Sequence, residues 1–229
     1  MKYEIKGTPF PVVECTLDAN ESMNCEAGAM SYMSGNMLME THGGGLGKMF
    51  SRAFSGESMF NNTYTAQNTE GMIAFASKFP GQLLAIELKD GKEIILQKSA
   101  YLASTVGVNR EVVFNKKLST GLFGGEGFIM QKCSGNGIVF VELDGSVVEK
   151  ELKDRETMQL DTGYLAMMDS TCSIDITSVK GLKNKLLGGE GFFNTTITGP
   201  GKVYIQTMPI YQLAQSIIPY VPTSSSGTD

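Results

Sequence analysis

The chain has 229 residues and a formal net charge of −5, with 19 Lys and Arg set against 24 Asp and Glu. That length supports a substantial core in one β-rich unit, and the basic residues are too scattered to form the clustered positive face that nucleic acid needs. No apolar run nears the roughly 20 residues that cross a bilayer as a helix.

No basic segment followed by an apolar one marks a secretory leader. Cys15, Cys25, Cys133 and Cys172 form no Cys-x-x-Cys pair, and His42 is the single histidine, which argues against a structural zinc site. The cysteines read as reduced, part-buried thiols of a cytoplasmic protein.

In chain order, 1–13 alternates around Tyr3, Ile5, Phe10 and Val12 and reads as an opening edge strand, since proline is tolerated at edges. A methionine-rich run follows: Met23, Met30, Met33, Met37, Met39 and Met49. Methionine fills irregular gaps and also lines adaptable contact surfaces. Core filling is the first reading here, and this run is the first place to seek a partner interface. The stretch from His42 to Met49 is rich in glycine but lacks the spacing and the Ser or Thr of a phosphate-binding loop. It reads as a flexible loop, and His42 has no evident partner for acid–base work.

Strands are expected over 61–78, 83–88, 93–96 and 101–106. Further strands are expected over 138–142 and 202–206, with the charged stretch 148–160 as an exposed hairpin strand and loop, and the corresponding segments 111–120 and 174–187 precede the second and third repeat turns. Helical turns are expected over 118–123 and 179–187. The run 210–218 has apolar residues at helical spacing behind Pro209, so a helix is predicted there with its apolar face across the sheets. Residues 223–229 read as a disordered tail.

A repeat organises these elements. Leu187-Gly188-Gly189-Glu190-Gly191-Phe192-Phe193 matches Phe123-Gly124-Gly125-Glu126-Gly127-Phe128-Ile129, and Phe54-Ser55-Gly56-Glu57-Ser58-Met59-Phe60 is a weaker copy. The glutamates stand 69 and 64 residues apart, so a unit of about 65 residues occurs three times. Repeats over about 1–80, 81–143 and 144–208 would form one domain ending in the helix 209–218. Upstream of the turns, the segments holding Tyr101 and Tyr164 also match. The Gly135-Asn136-Gly137, Gly199-Pro200-Gly201, Lys89-Asp90-Gly91 and Leu143-Asp144-Gly145 turns read as hairpins, because glycine reaches positive φ without a Cβ clash.

Glu57, Glu126 and Glu190 are the ionisable residues tied to the repeat. Each reads first as an acceptor for backbone N–H groups of its own turn, holding Gly56, Gly124, Gly125, Gly127, Gly188, Gly189 and Gly191 in place. Three carboxylates gathered on a pseudo-three-fold axis would be the alternative, a metal site. Lys180, Lys183 and Lys185 read as a solvated face before a phosphate patch. Asp161 and Asp175 are isolated acids. No nucleophile elbow and no Cys–His pair is present, so neither an enzyme nor a bound cofactor is expected.

The Gly-Gly-Glu-Gly-Phe turns at 124–128 and 188–192, the Glu26-Ala27-Gly28-Ala29-Met30 segment and Ile205-Gln206-Thr207 before a helix resemble the AIM24 family. This family of bacterial and archaeal proteins is related to a fungal mitochondrial biogenesis protein. The resemblance covers almost the whole chain. It implies an all-β, double-stranded β-helix or β-sandwich-like fold, similar to that of the tryptophan RNA-binding attenuation protein. It also implies a homo-oligomer such as a trimer, and it carries over no catalytic residue. The fungal role at the inner membrane does not transfer to a chain without a transit peptide, and likeness to an RNA-binding ring is a likeness of fold only. The resulting expectation is an oligomeric scaffold or interaction module with a homo-oligomeric or other protein partner. A ligand- or metal-binding β-barrel is the alternative, and RNA binding is disfavoured by the charge.

Overall fold

The computed structural model describes residues 1–42, 61–116, 127–178 and 193–221. After β1 (Lys2–Lys6) come three sets of six strands. The first set is β2 (Val12–Leu17), β3 (Ser22–Glu26), β4 (Met30–Met33), β5 (Met37–His42), β6 (Asn61–Ala66) and β7 (Gly71–Ala76). The second is β8 (Gly81–Leu88), β9 (Ile94–Gln97), β10 (Tyr101–Thr105), β11 (Val108–Lys116), β12 (Phe128–Gly135) and β13 (Gly137–Asp144). The third is β14 (Val147–Leu152), β15 (Thr157–Asp161), β16 (Leu165–Asp169), β17 (Ser173–Ser178), β18 (Phe193–Thr198) and β19 (Gly201–Gln206), and α1 (Ile210–Ile217) follows it.

All pairing is antiparallel, in sheets ordered β1-β2-β7-β4, β5-β6-β3-β10-β13-β8, β11-β12-β9-β16-β19-β14 and β15-β18-β17. Within each set the first strand pairs with the sixth and the second with the fifth. That is the double-stranded β-helix winding the family resemblance implies. The sixth, first and third strands lie in one sheet, and the fifth, second and fourth in the next. Successive sets are joined where the second strand of one meets the third strand of the next. β3 meets β10 through Cys25↔Ala103, Asn24↔Ser104 and Met23↔Thr105. β9 meets β16 through Leu96↔Met167, Ile95↔Met168 and Ile94↔Asp169.

Three apolar clusters fill the spaces between successive sheets. Val13, Cys15 and Leu17 on β2 and Ile73 and Phe75 on β7 face Met23, Cys25 and Tyr64 of the second sheet. Leu88, Val139, Val141 and Leu143 of the second sheet face Leu96, Cys133 and Met167 of the third. Phe128, Met130, Met168 and Val203 of the third face Ile176 and Ile197 of the last. β2 alternates because one face is wet. β10 and β13 lie between two cores, so both of their faces are apolar and the run is continuous. Tyr3 places its ring edge-on to Phe140, with centroids 5.1 Å apart, so β1 also covers the second sheet.

The third strand of every set carries a one-residue register shift, at Ser31, Leu102 and Ala166. Met30, Tyr101 and Leu165 therefore correspond, and the second and third sets are offset by 64 residues, the spacing of Glu126 and Glu190. The expected match of Tyr101 with Tyr164 is one residue out. Tyr164 belongs to a 3-10 turn, Thr162–Tyr164, that corresponds to Lys98–Ala100.

The glycine turns at 135–137, 199–201, 89–91 and 143–145 are corners between sheets rather than hairpins. The strands on either side of each lie in different sheets, as do β14 and β15 on either side of the turn within 148–160. Gly135 (φ +96°) and Gly137 (φ +154°) show why local chemistry misleads. A Cβ on Gly137 would fall 2.0 Å from Thr105 Oγ1, so the glycine permits a close crossing as readily as a tight reversal. The hairpins of the sets are β5–β6, β11–β12 and β17–β18, and the chain between their strands holds the three repeated segments around Glu57, Glu126 and Glu190. α1 forms at the expected place, but none of its residues is buried, and Ile210, Ile217 and Ile218 are exposed rather than laid across the sheets.

Candidate functional site

Glu57, Glu126, Glu190, Gly56, Gly124, Gly125, Gly188, Gly189, Gly191 and the lysines 180, 183 and 185 lie outside the described residues. Gly127 is described. It stands directly before β12 at φ +88°, a left-handed backbone suited to glycine. Lys116, at the end of β11, donates to the Ile176 carbonyl of β17, which draws together the feet of the second and third hairpins. His42 closes β5. Asp161 accepts from the Tyr211 hydroxyl at 3.0 Å, and Asp175 lies on β17. Among the described residues no three His, Cys, Asp or Glu gather as metal ligands would.

The buried polar groups of the interior are largely held by neighbours. The Arg110 guanidinium lies 3.5 Å from the centre of the Tyr101 ring, a cation on a π face. The Tyr101 hydroxyl is shared with Ser104 at 3.0 Å, and burial pushes it up to about 12. Glu142 accepts from Ser77 Oγ at 3.0 Å and the Lys78 N–H at 2.9 Å, and burial raises its carboxyl above the usual range. These contacts hold the cores together.

The fourfold stack leaves a different kind of site at its two ends. Among the described residues, second strands are interior where β3 and β9 meet the following set, but β15 is an edge. Third strands are interior at β10 and β16, but β4 is an edge. Side-chain exposure follows the pairing. Ala103, Ser104, Met167 and Met168 at the two internal joints are 0, 1, 0 and 0% exposed, whereas the corresponding Tyr32 and Met33 on β4 are 41 and 39% exposed. On the neighbouring β5, Leu38 and Met39 are also exposed.

The methionine-rich run is thus divided. Met23 and Met37 fill the core, Met30 packs against it, and Met33 and Met39 face out beside an unpaired strand. Edges elsewhere carry charge, as Glu149, Lys150 and Glu151 do on β14 and Lys2, Glu4 and Lys6 on β1, and such charge discourages pairing. β4 has no charged residue, and β15 has Asp161 alone at its end.

The family model described as "Mitochondrial biogenesis AIM24" matches residues 3–208. The chain belongs to the AIM24 family. A relative from Streptococcus pyogenes serotype M6, described as an uncharacterized protein, is 32% identical across 99% of this chain and 93% of its own length. An X-ray crystal structure of a Streptococcus pyogenes protein superposes with a TM-score of 0.80 and 28% identity, covering 96% of this chain and 99% of that one.

Within this AIM24 chain, the sequence pointed to the methionine run and to the opening edge strand, where β1 does end a sheet, but not to the edges at β4 and β15. A four-residue strand such as β4 shows no pairing partner in its own sequence. The available signal was comparative: Tyr32 and Met33 stand where the other two sets bury Ala103 and Ser104, or Met167 and Met168. The described helix is not long and apolar enough to cross a membrane.

Proposed function

We propose that this AIM24-family chain is a non-enzymatic scaffold or interaction module that associates through its open sheet edges, with a homo-oligomer as the working form. The observation that carries the reading is β4: an uncharged edge strand whose Tyr32 and Met33 are exposed beside Leu38 and Met39. An unpaired row of backbone groups flanked by apolar side chains is a template for strand addition. The trimer implied by the family resemblance is the favoured stoichiometry. The four buried free thiols, Cys15, Cys25, Cys133 and Cys172, support a reducing, cytoplasmic setting.

The test is the native mass by light scattering over a range of concentrations, with metal content measured on the same sample. A metal-free multiple of 24.7 kDa is expected. A monomer at every concentration, or one metal ion per chain, would count against the module reading.

A further inference from the structure

We infer that β15 of one copy of this chain pairs with β4 of a second copy, antiparallel and head to tail, repeating between molecules the joint that the chain makes twice within itself. The inference rests on the interaction-module reading above and names its partner and its register. The internal joints are β3–β10 and β9–β16, a second strand against the next set's third strand. Among the described residues, the third set's second strand and the first set's third strand are the two halves of that joint without a counterpart, since β15 and β4 each end a sheet. Brought together, a second copy's β17, β18 and β15 would continue into β4, β7, β2 and β1. That is the strand order of the two internal six-stranded sheets, with β1 added at the far edge.

The register follows from the correspondence of the sets. Cys25, Leu96 and Leu160 occupy equal places, as do Ala103, Met167 and Tyr32. Tyr32 therefore lies opposite Leu160 of the second copy, Met33 opposite Gln159 and Ser34 opposite Met158. Cover for β5 comes from the same joint. Phe114, Phe128 and Met130, which lie beyond the β9–β16 joint, share the third core with Ile174. Met39 holds the place of Ile174 in the first set, so β18 and β17 of the second copy would bring it the corresponding cover. β4 carries no charge and β15 only Asp161 at its end, so neither carries the clustered charges that discourage strand addition at β1, β11 and β14. Each copy offers one half-joint of each kind, so the contact is heterologous and closes as a ring or extends as a filament.

The test places charges at the facing positions Met33 and Gln159, both exposed in the single chain. A chain carrying Met33→Asp with Gln159→Asp sets like charges across the joint. Its association should weaken about a hundredfold or more, while its circular dichroism and melting stay those of a folded chain. Met33→Lys with Gln159→Asp sets opposite charges there and should associate as the native chain does. Under mild oxidation, mixed Met33→Cys and Gln159→Cys chains should form a disulfide-linked pair, which neither chain forms alone, because directly opposed strand residues lie within disulfide reach.

An oligomer whose mass ignores both charge variants would overturn this joint and leave the oligomeric module standing. A monomer throughout would overturn both. A chain carrying both new cysteines that cross-links within itself at monomer mass would show that β4 meets its own β15, and would overturn the joint between copies.

Discussion

Glu142 and Gln206 occupy the same place in successive sets, and each accepts a backbone N–H from the residue leaving a sheet: Lys78 to Glu142 Oε2 at 2.9 Å, and Asp144 to Gln206 Oε1 at 3.1 Å. The two differ in what the other terminal atom can do. Gln206 Nε2 donates to the Gly163 carbonyl at 2.9 Å, whereas Glu142 Oε1 has no hydrogen-bond partner among the described residues. Ser99 holds the place of Gly163 in the second set.

An amide at 142 should therefore stabilise the fold at neutral pH. Burial raises the Glu142 carboxyl in the folded chain, so between the ordinary value of about 4.3 and that higher value the folded state holds more protons than the unfolded one. Stability is then full below the ordinary value and is lost as pH rises through the folded one. Glu142→Gln should melt above the native chain at pH 7, and the difference should vanish near pH 4. Melting curves of both chains across that range test it; a variant less stable at pH 7 would sink the idea.

Thiol reactivity gives a second test. Cys15, Cys25 and Cys133 are pushed up to about 12 by burial, and Cys172 is raised by the same cause. Since the thiolate is the reactive form, a thiol reagent at pH 8 should label none of the four rapidly in the native chain and all four in denaturant. Prompt labelling of one native thiol would locate an opening in the stack.

The docking of α1 can be tested through Gly163 and Tyr211. A Cβ on Gly163 would fall 2.0 Å from Tyr211 Cε1, so Gly163→Ala must expel the ring and break its hydrogen bond to Asp161. A loss of about 0.5–1.5 kcal/mol is expected for that bond. In a chain already carrying Tyr211→Ala the same glycine change should cost far less, because the two groups are in contact. Equal costs in both backgrounds, measured by urea unfolding, would mean that the glycine serves another purpose.

The sequence carried the repeat, the strand periodicity and the family, because those signals are local or recur along the chain. The 3.6-residue spacing behind Pro209 likewise located α1. What local residues could not carry was partnership. Gly135-Asn136-Gly137 satisfies a hairpin and a corner equally well, and only the placement of β12 with β9 and β13 with β8 decides between them. Tyr101 and Tyr164 looked equivalent until the register shift at Leu102 and Ala166 fixed the alignment by main-chain pairing. Burial of the helix face was inferred from its spacing, yet spacing reports that a face is apolar and not that anything covers it. The edges of β4 and β15 were illegible for the same reason, since an edge is defined by a neighbour that is missing.

The composite sheets have a consequence for how the molecule opens. Each six-stranded sheet draws half its strands from one set and half from the next, so the middle set cannot detach without tearing two sheets, and each end set cannot detach without tearing one. Unfolding from within is thereby suppressed, and opening must begin at the outermost layers, as in a stack with nearest-neighbour coupling. Amide protons of β9, β10, β13 and β16 should outlast those of β1 and β17 in deuterium exchange. A molecule that peels only from its ends is also one whose lifetime depends on what those ends are resting against.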